Sequence, residues 1–416
     1  MNNLLQNTEL LANDNLSLLS LRKNGADIFA KNGLPTKKSE NWKYTSLRAL
    51  ERDDYVVDTS DCDHTNCHHD KSTLPFNAYE INMCNGKICH LPHDLPKGLI
   101  ICTLLEAFFE YDIKKKINLH IDINEHPFCA LNTAYLEQGI YVEVAKNTQI
   151  NCPIAIIHKS HCDDKNMFMN IHNLIILGAD SSLDLIEYYH HEGIEKSDYL
   201  LNIVNEINLN KGAHLNHIKI QIDAFYANHI AYNSVILKEN SIYNGFCLQK
   251  GANIGRNETK AELAGDKAKF VLNGAYIMNG WALIDTTTDI RHLCANTASE
   301  QVLRGVIDGK AHGVFCGKIH IAPNADKTEG KQLHKALLLS NEAEVDYKPE
   351  LEIFADDVKC SHGATCGELD KEMLFYMKSR GISEDEAKKM LTDAYLCETF
   401  NNICNEEYIS WIKNEL

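Results

Sequence analysis

Residues 203–222 read IVNEINLNKGAHLNHIKIQI, and this stretch decides the fold. Its two apolar runs, 203–209 and 215–222, alternate with polar residues and contain many β-branched side chains, as half-buried strands do. Lys211-Gly212-Ala213 lies between the runs and provides a glycine where the chain has to turn. The stretch therefore predicts a strand, a tight turn and a second strand.

The same unit recurs through the middle of the chain. Further turn signals are Ala145-Lys146-Asn147, Gly178-Ala179-Asp180, Lys238-Glu239-Asn240 and Gly265-Asp266-Lys267. The predicted strands are 140–144, 154–158, 174–177, 183–188, 203–209, 215–222, 234–237, 269–276 and 313–321. The turns recur at roughly 27 to 33 residues, a period typical of solenoids, in which each unit buries its apolar side against its neighbours. We therefore predict a parallel β-helix, and periodicity leaves two all-β domains in tandem as the alternative.

The two ends of the chain have a different pattern. Near the start, leucines recur at helical spacing up to Pro35: Leu4, Leu5, Leu10, Leu11, Leu18 and Leu21. Near the end, Arg380-Gly381 is a helix stop, and Ser383 with Glu386 forms a capping box that opens another helix. We predict a mixed, largely helical region at 1–115, a β-helix at 116–345 and a helical region at 346–416.

Composition and charge exclude several classes of function. The formal net charge of −17 argues against a general nucleic-acid binder, because no basic stripe offsets the phosphate repulsion. The N-terminus lacks the basic and apolar segments of a signal peptide, and no run approaches the ~18 apolar residues that span a bilayer. We expect a cytoplasmic protein without a membrane partner, whose 15 cysteines stay reduced.

The strongest candidate for chemistry is Cys360-Ser361-His362. A thiol and an imidazole two residues apart point to one side of an extended strand, and both suit iron–sulfur or zinc chemistry. Lys359 next to them would favour the thiolate. Chemistry alone leaves open the simpler alternative, a buried cysteine and a hydrogen-bonded histidine in a tight turn.

Other cysteines carry weaker signals. The segment 62–69, CDHTNCHH, has the density of a metal site, but we favour a solvated loop that binds metal adventitiously. We expect Cys366 to serve packing and Cys316 to face the β-helix core.

A resemblance adds to these observations. The run ADDVKCSHGATCGELD at 355–370, followed by LFYMKSRGISEDEA, is similar to the signature of the SufB/SufD family of iron–sulfur cluster assembly proteins. SENWKYTSL near the start, HPFCALN at 126–132 and HGVFCGKIHI at 312–321 occur in the family order. Gly363 after the histidine, the length of 416 residues and the WKYT stretch resemble the SufD branch more than the SufB branch.

The resemblance implies a right-handed parallel β-helix and a set of partners. The chain would pair with a SufB-like subunit, and its C-terminal helices would bind a SufC-like ABC ATPase. A transient iron–sulfur cluster, shared with the SufB-like subunit, would contact His362, with Cys360 beside it as the second metal-ligand candidate. A reduced flavin in the complex and a homodimer of the isolated chain are left open.

Two other functions compete with this non-catalytic scaffold role. A stand-alone metal or thiol-transfer protein would use Cys360, His362 and the loop at 62–69. A β-helix enzyme acting on polysaccharides would need paired carboxylates on a strand face, and the sequence offers no convincing pair. The chain also lacks a GxxxxGK[ST] phosphate loop, so it cannot itself be the ATPase of such a system.

Overall fold

The computed structural model describes residues 3–5, 15–48, 50, 54–57, 74–160, 166–191 and 198–416. Within them, twenty strands form two sheets. The strands are β1 (Val56–Val57), β2 (Tyr79–Cys84), β3 (Lys87–His90), β4 (Leu99–Thr103), β5 (Ile140–Val144), β6 (Ile154–Ser160), β7 (Met167–Leu177), β8 (Ser182–His191), β9 (Tyr199–Leu209), β10 (His214–Ile222), β11 (Asn228–Leu237), β12 (Ile242–Lys250), β13 (Ile254–Leu263), β14 (Lys269–Met278), β15 (Leu283–His292), β16 (Ala298–Ile307), β17 (His312–Ile321), β18 (Thr328–Leu338), β19 (Glu344–Ile353) and β20 (Val358–Gly367). The helices are α1 (Leu16–Asn32), α2 (Leu104–Glu110), α3 (Pro127–Ala134), α4 (Lys371–Ser379), α5 (Glu384–Cys397) and α6 (Glu406–Glu415).

The strands alternate between the two sheets along the chain. The first sheet has the order β19-β17-β15-β13-β11-β9-β7-β5-β4, with β1 beside β7. The second has the order β20-β18-β16-β14-β12-β10-β8-β6-β2-β3. All neighbours are parallel except the pairs β2–β3 and β4–β5. The result is a parallel β-solenoid of about seven turns with helices at both ends, which confirms the predicted fold class.

The predicted turns stack into a ladder along one corner of the β-helix. Each contains a residue in the left-handed region, such as Asp180 (φ 55°), Gly212 (φ 66°) and Asn240 (φ 57°). The amide of each of these residues donates to a carbonyl of the next turn; for example, the Gly212 amide lies 2.8 Å from the Glu239 carbonyl. Asparagine, aspartate and glycine tolerate this conformation best, which explains the composition of the turn signals.

The helical regions cover opposite outer faces of the β-helix. The N-terminal region packs on the first sheet, where the ring of Trp42 stacks on Phe128 with centroids 5.4 Å apart. The C-terminal region packs on the second sheet, where Trp411 and Ile412 of α6 are buried against Tyr188. The ends of the chain therefore supply the cover that an open sheet face needs.

The β-helix extends beyond residue 345, where we predicted its end. Strands β19 and β20 lie after residue 345 and continue the two sheets. At the other end, β2 and β4 belong to the sheets although they precede residue 116. The apolar alternation fades in β19 and β20 because no further coil among the described residues covers their inner face, so the sequence pattern there does not predict core strands.

Candidate functional site

Cys360 and His362 lie on β20, the last strand of the second sheet. This strand pairs with β18 on one side, and on the other side no described strand pairs with it. Gly330 and Gln332 of β18 are the register neighbours of Cys360 and His362. The candidate site therefore occupies the open end of the β-helix.

The thiol of Cys360 points into the β-helix. It packs with Ile319, Ile321 and Ala325 and lies beside Gly330, where an added Cβ would be 3.3 Å from its sulfur. Burial raises the pKa of Cys360, so the neutral thiol is favoured in the isolated chain. A metal or sulfur ligand would have to displace that proton.

Lys359 does not act on this thiol, contrary to our expectation. Its side chain is 83 % exposed and pairs with Glu329 at 3.2 Å. Successive strand residues point to opposite faces, so Lys359 lies outside while Cys360 lies inside. Lys359 and Cys360 are neighbours in sequence, but their side chains lie on opposite faces of the strand and therefore do not interact.

His362 follows Cys360 on the same inner face but is exposed, because the β-helix ends here. In the described part of the chain, no group of three or more His, Cys, Asp and Glu side chains is arranged to hold a metal ion.

Two further cysteines differ from our expectations. Cys366 is exposed rather than packed, on the same face of β20, at the rim of a cleft of about 740 Å³ that helices α4 and α5 also line. It lies six residue steps along the strand from Cys360, or roughly 20 Å, too far for the two thiols to share one ion. Cys316 lines a polar groove on the outer face of the first sheet with Lys348 and Glu350, because its strand position points outward rather than into the core.

The inner face of β19 forms the other half of the open end. Tyr347 reaches across to β20, where its hydroxyl donates to the Thr365 carbonyl at 3.0 Å. Ile353 and Phe354 after it are exposed apolar residues. Both sheets thus end in a strand edge beside a partly apolar interior.

A second exposed apolar surface lies on helices α4 and α5. No residue of α4 is buried, and Met373, Phe375 and Tyr376 are among the most exposed large apolar side chains, together with Met390 of α5. Ser383 caps α5 by accepting from the Glu386 amide at 3.3 Å, which is the serine half of the predicted capping box. Large apolar side chains left exposed on two helices that contact each other are candidates for a docking surface.

The other segments of the resemblance have structural roles. In SENWKYTSL, Trp42 covers the guanidinium of Arg256 at 4.1 Å, and Thr45 donates to Asp285, which also binds Arg256. In HPFCALN, Asn132 contacts His172, whose other ring nitrogen lies 2.9 Å from Glu206. Both motifs anchor the N-terminal region on the first sheet.

The metal-like segment at 62–69 lies outside the described residues, so its role stays a prediction. No helix in the ranges that the structure covers is long and apolar enough to cross a membrane.

Comparisons with known proteins agree with this architecture. A family model for the SUF system FeS cluster assembly SufBD core domain matches residues 160–395, and one for the SufBD protein N-terminal region matches residues 3–156. The chain is 28 % identical over 373 residues to the iron–sulfur cluster assembly protein SufD of Escherichia coli, covering 88 % of this chain and 85 % of that protein. It is also 28 % identical over 404 residues to the SufBD family protein slr0076 of Synechocystis, covering 93 % and 87 %. Identity to SufD of Bacillus subtilis is 26 % over 326 residues, covering 77 % and 72 %.

Fold and site together define a parallel β-helix protein with a cysteine–histidine pair on its terminal strand. Because a single family model matches more than half of its residues, the chain belongs to the SufBD family of iron–sulfur cluster assembly proteins.

Proposed function

We propose that this chain is a non-catalytic scaffold subunit that pairs with a SufB-like subunit and binds a SufC-like ATPase in the cytoplasm. The observation that carries the proposal is the position of Cys360 and His362 on the inner face of β20, which pairs with β18 along one edge and with no described strand along the other. The similarity to proteins named SufD supports the choice of branch.

The pairing surface follows from the two open strand edges. Unpaired edges are templates for strand addition, and folded proteins usually cover or charge them. Here β19 and β20 end both sheets at once, with Ile353 and Phe354 exposed beside them. A subunit of the same fold, presenting its own terminal strands, would continue both sheets and cover the interior.

The incomplete ligand set supports a shared site. One thiol and one imidazole provide two ligands, whereas an iron–sulfur cluster is held by about four. The partner's terminal strand would supply the others, so the cluster is cargo at the junction of two chains. His362 is our first candidate ligand because it is exposed, and Cys360 is the second because it must first lose its proton.

The ATPase would dock on helices α4 and α5. Their exposed apolar side chains, Met373, Phe375 and Met390, offer the core of an interface, and charged residues surround them. Because the sequence lacks a phosphate-binding loop, ATP hydrolysis would come from that partner. A reduced flavin in the complex stays a prediction, and we assign it no residues.

The test is co-expression of the tagged chain with the SufB-like and SufC-like subunits of its own source. We expect one complex, in which His362→Ala leaves assembly intact but lowers cluster formation. Ser361→Ala, on the outer face of the same strand, is the matched control and should form clusters as the wild type does.

Other outcomes would contradict the proposal. If the tagged chain purifies alone and delivers clusters by itself, it is not a scaffold subunit. If His362→Ala prevents assembly, the residue has a structural role. A stable cluster on the isolated chain after anaerobic reconstitution would favour the stand-alone metal or thiol-transfer protein.

A further inference from the structure

The outward side chains of β19 form a row of charges along one edge of the open end. The residues between them face the β-helix interior, where they pack in the last apolar clusters. Four carboxylates and one ammonium give this β19 charge row a net charge of −3. Its members are Glu344, Asp346, Lys348, Glu350 and Glu352.

The β19 charge row has the same order of signs from either end, with Lys348 at its centre. A closed dimer of identical chains has two-fold symmetry, and a two-fold axis that joins two β19 edges makes the paired strands antiparallel. With full overlap, Glu344 faces Glu352 of the second copy. Asp346 likewise faces Glu350, and Lys348 faces its own counterpart. All five positions therefore bring like charges together, which destabilises a pair of strands.

Pro349 weakens the same self-pair through the backbone. The Glu344 amide donates to the Ala311 carbonyl at 3.0 Å, so the amides of even-numbered residues point to β17 and those of odd-numbered residues to the open edge. Pro349 has no N–H to offer at that edge. A two-fold pair of β19 edges would lose two hydrogen bonds at its centre, one from each copy, whereas a different partner strand would lose one.

Contacts with neighbouring elements leave the β19 charge row acidic. Lys318 of β17 binds Glu352 at 2.6 Å and adds a positive charge beside the row. Glu40 of the N-terminal region binds Lys348 at 2.8 Å and adds a negative charge, so the two contributions offset each other. Two histidines of β17 also contact the row, and histidine is ordinarily neutral at about pH 8.

Strand β20, which ends the other sheet, has neither feature. It contains no proline, and its outward side chains include a single charge. These outward residues are Lys359, Ser361, Gly363, Thr365 and Gly367. A second copy can therefore still be held at β20, and it is β19 that limits the affinity between two copies.

We propose that β19 selects a different subunit over a second copy of this chain. The strand that it accepts carries basic outward residues opposite the four carboxylates and an acidic or neutral residue opposite Lys348. Repulsion of the wrong partner and attraction of the right one both contribute to such specificity. That this strand belongs to the SufB-like subunit rests on the proposed function, whereas the repulsion between two copies does not.

The experiment is sedimentation of the full chain over a range of concentrations, at about pH 8 and low salt. The double variant Glu350→Lys with Glu352→Lys converts four like-charge pairs of the symmetric dimer into opposite pairs. We expect it to tighten the dimer by about 10-fold or more, and about 1 M salt should remove the gain. Glu344→Lys with Asp346→Lys makes the same conversion from the other end of the row and should tighten the dimer equally.

The matched control changes the net charge by the same amount away from β19. Glu110→Lys with Glu300→Lys alters two exposed carboxylates, one on α2 and one on β16, and should leave the dimer as in the wild type. If neither β19 variant tightens the dimer, or if the control tightens it as much, the assignment is overturned.

A second measurement tests the choice of partner. In co-expression with the SufB-like subunit, Glu350→Lys with Glu352→Lys should weaken binding to that subunit by about 10-fold, opposite to its effect on the dimer. Tighter binding to both partners would overturn the selection. If the SufB-like subunit does not bind the wild type at all, the proposed function fails, while the sedimentation result still decides whether β19 repels its own copy.

Discussion

Arg256 is the buried charge on which the N-terminal region is anchored. Its guanidinium is 1 % exposed, binds Asp285, lies 2.8 Å from Glu258 and stacks under Trp42. Burial by itself lowers the pKa of Arg256, but the two carboxylates outweigh it and raise the pKa above its usual value. The side chain therefore stays charged in the folded protein.

Replacing this arginine should strongly destabilise the protein. We expect Arg256→Met to lower the free energy of unfolding by about 3–5 kcal/mol, because Asp285 is left as an unpaired buried charge. Arg291→Met is the control: that side chain is 39 % exposed and pairs with Asp289, so its loss should cost less than about 1 kcal/mol. Urea unfolding of both variants measures the two losses of unfolding free energy. Equal losses would contradict the anchoring role of Arg256.

His334 gives the protein a dependence on pH. Burial between Phe315 and Tyr276 lowers the pKa of His334 to about 3, against about 6.5 in an unfolded chain. Between pH 3 and pH 6.5, the unfolded chain therefore binds a proton at His334 that the folded chain does not bind. Stability from this group is complete above pH 6.5 and is lost as the pH falls toward 3.

Phenylalanine at this position should remove that dependence. Between pH 7 and pH 5, we expect the wild type to lose about 2 kcal/mol more unfolding free energy than His334→Phe. Denaturant titrations at the two pH values measure the difference. An equal loss in both proteins would mean that His334 binds its proton as readily in the folded chain as in the unfolded chain.

At the scale of elements, an asparagine ladder fastens the C-terminal segment to the second sheet. Asp184, Asn216 and Asn244 of three successive strands are hydrogen-bonded in series, and Asn402 continues the series with its amide 2.9 Å from the Asn244 side-chain oxygen. Tyr408 of α6 closes it by donating to Asp184 at 3.1 Å. These bonds complement the apolar contacts of Trp411.

Removing the Asn402 side chain should increase local unfolding of the C-terminal segment without affecting the rest of the protein. We expect Asn402→Ala to speed hydrogen exchange of residues 399–416 by a factor that corresponds to about 1–3 kcal/mol, because the Asn244 side-chain oxygen and the Gly245 carbonyl then lose the amide donor of Asn402. The neighbouring Asn401→Ala, at an exposed position, should leave exchange as in the wild type. Faster exchange across the whole β-helix would contradict a local role.

Some strands have no apolar–polar alternation from which they could be predicted. Strand β13 reads IGRNETKAEL, with Arg256 and Glu258 outward and Asn257 and Thr259 inward, so polar residues occupy both faces. The inward amide of Asn257 finds a partner in Gln221, 36 residues earlier. Alternation fails as a signal when the interior itself supplies hydrogen bonds.

At the scale of the whole molecule, the open end of the β-helix predicts self-association when the partner is absent. A second copy can add its own terminal strands to β19 and β20 and join the two interiors. Ala364 lies on the inner face of β20 and Thr365 on the outer face. In the dimer, a side chain at position 364 would therefore be buried in the joined interior, whereas one at position 365 would stay in contact with solvent.

We expect the isolated chain to sediment as a dimer. Ala364→Lys should weaken the dimer by about 100-fold or more, since burying an unpaired ammonium costs about 3 kcal/mol. Thr365→Lys keeps its charge in solvent and should remain dimeric. A monomeric wild type, or equal effects of the two lysines, would contradict pairing through these edges.

The sequence by itself determined the repeat, its turns and the shared face of Cys360 and His362. All of these follow from local rules: the left-handed turn residues, the roughly 30-residue period and the alternation of side chains along a strand. The SufBD motifs are contiguous runs of residues, so the sequence alone also indicated the family.

Only the tertiary structure decided which groups surround the candidate site. Gln332 stands beside His362 although 30 residues separate them, Lys359 is turned away from the thiol next to it, and Cys366 is exposed. The physical reason is that the neighbours of a β-helix side chain come from the coils before and after it. Those contacts depend on strand register and on where the coils end, and neither is encoded in residues near the site.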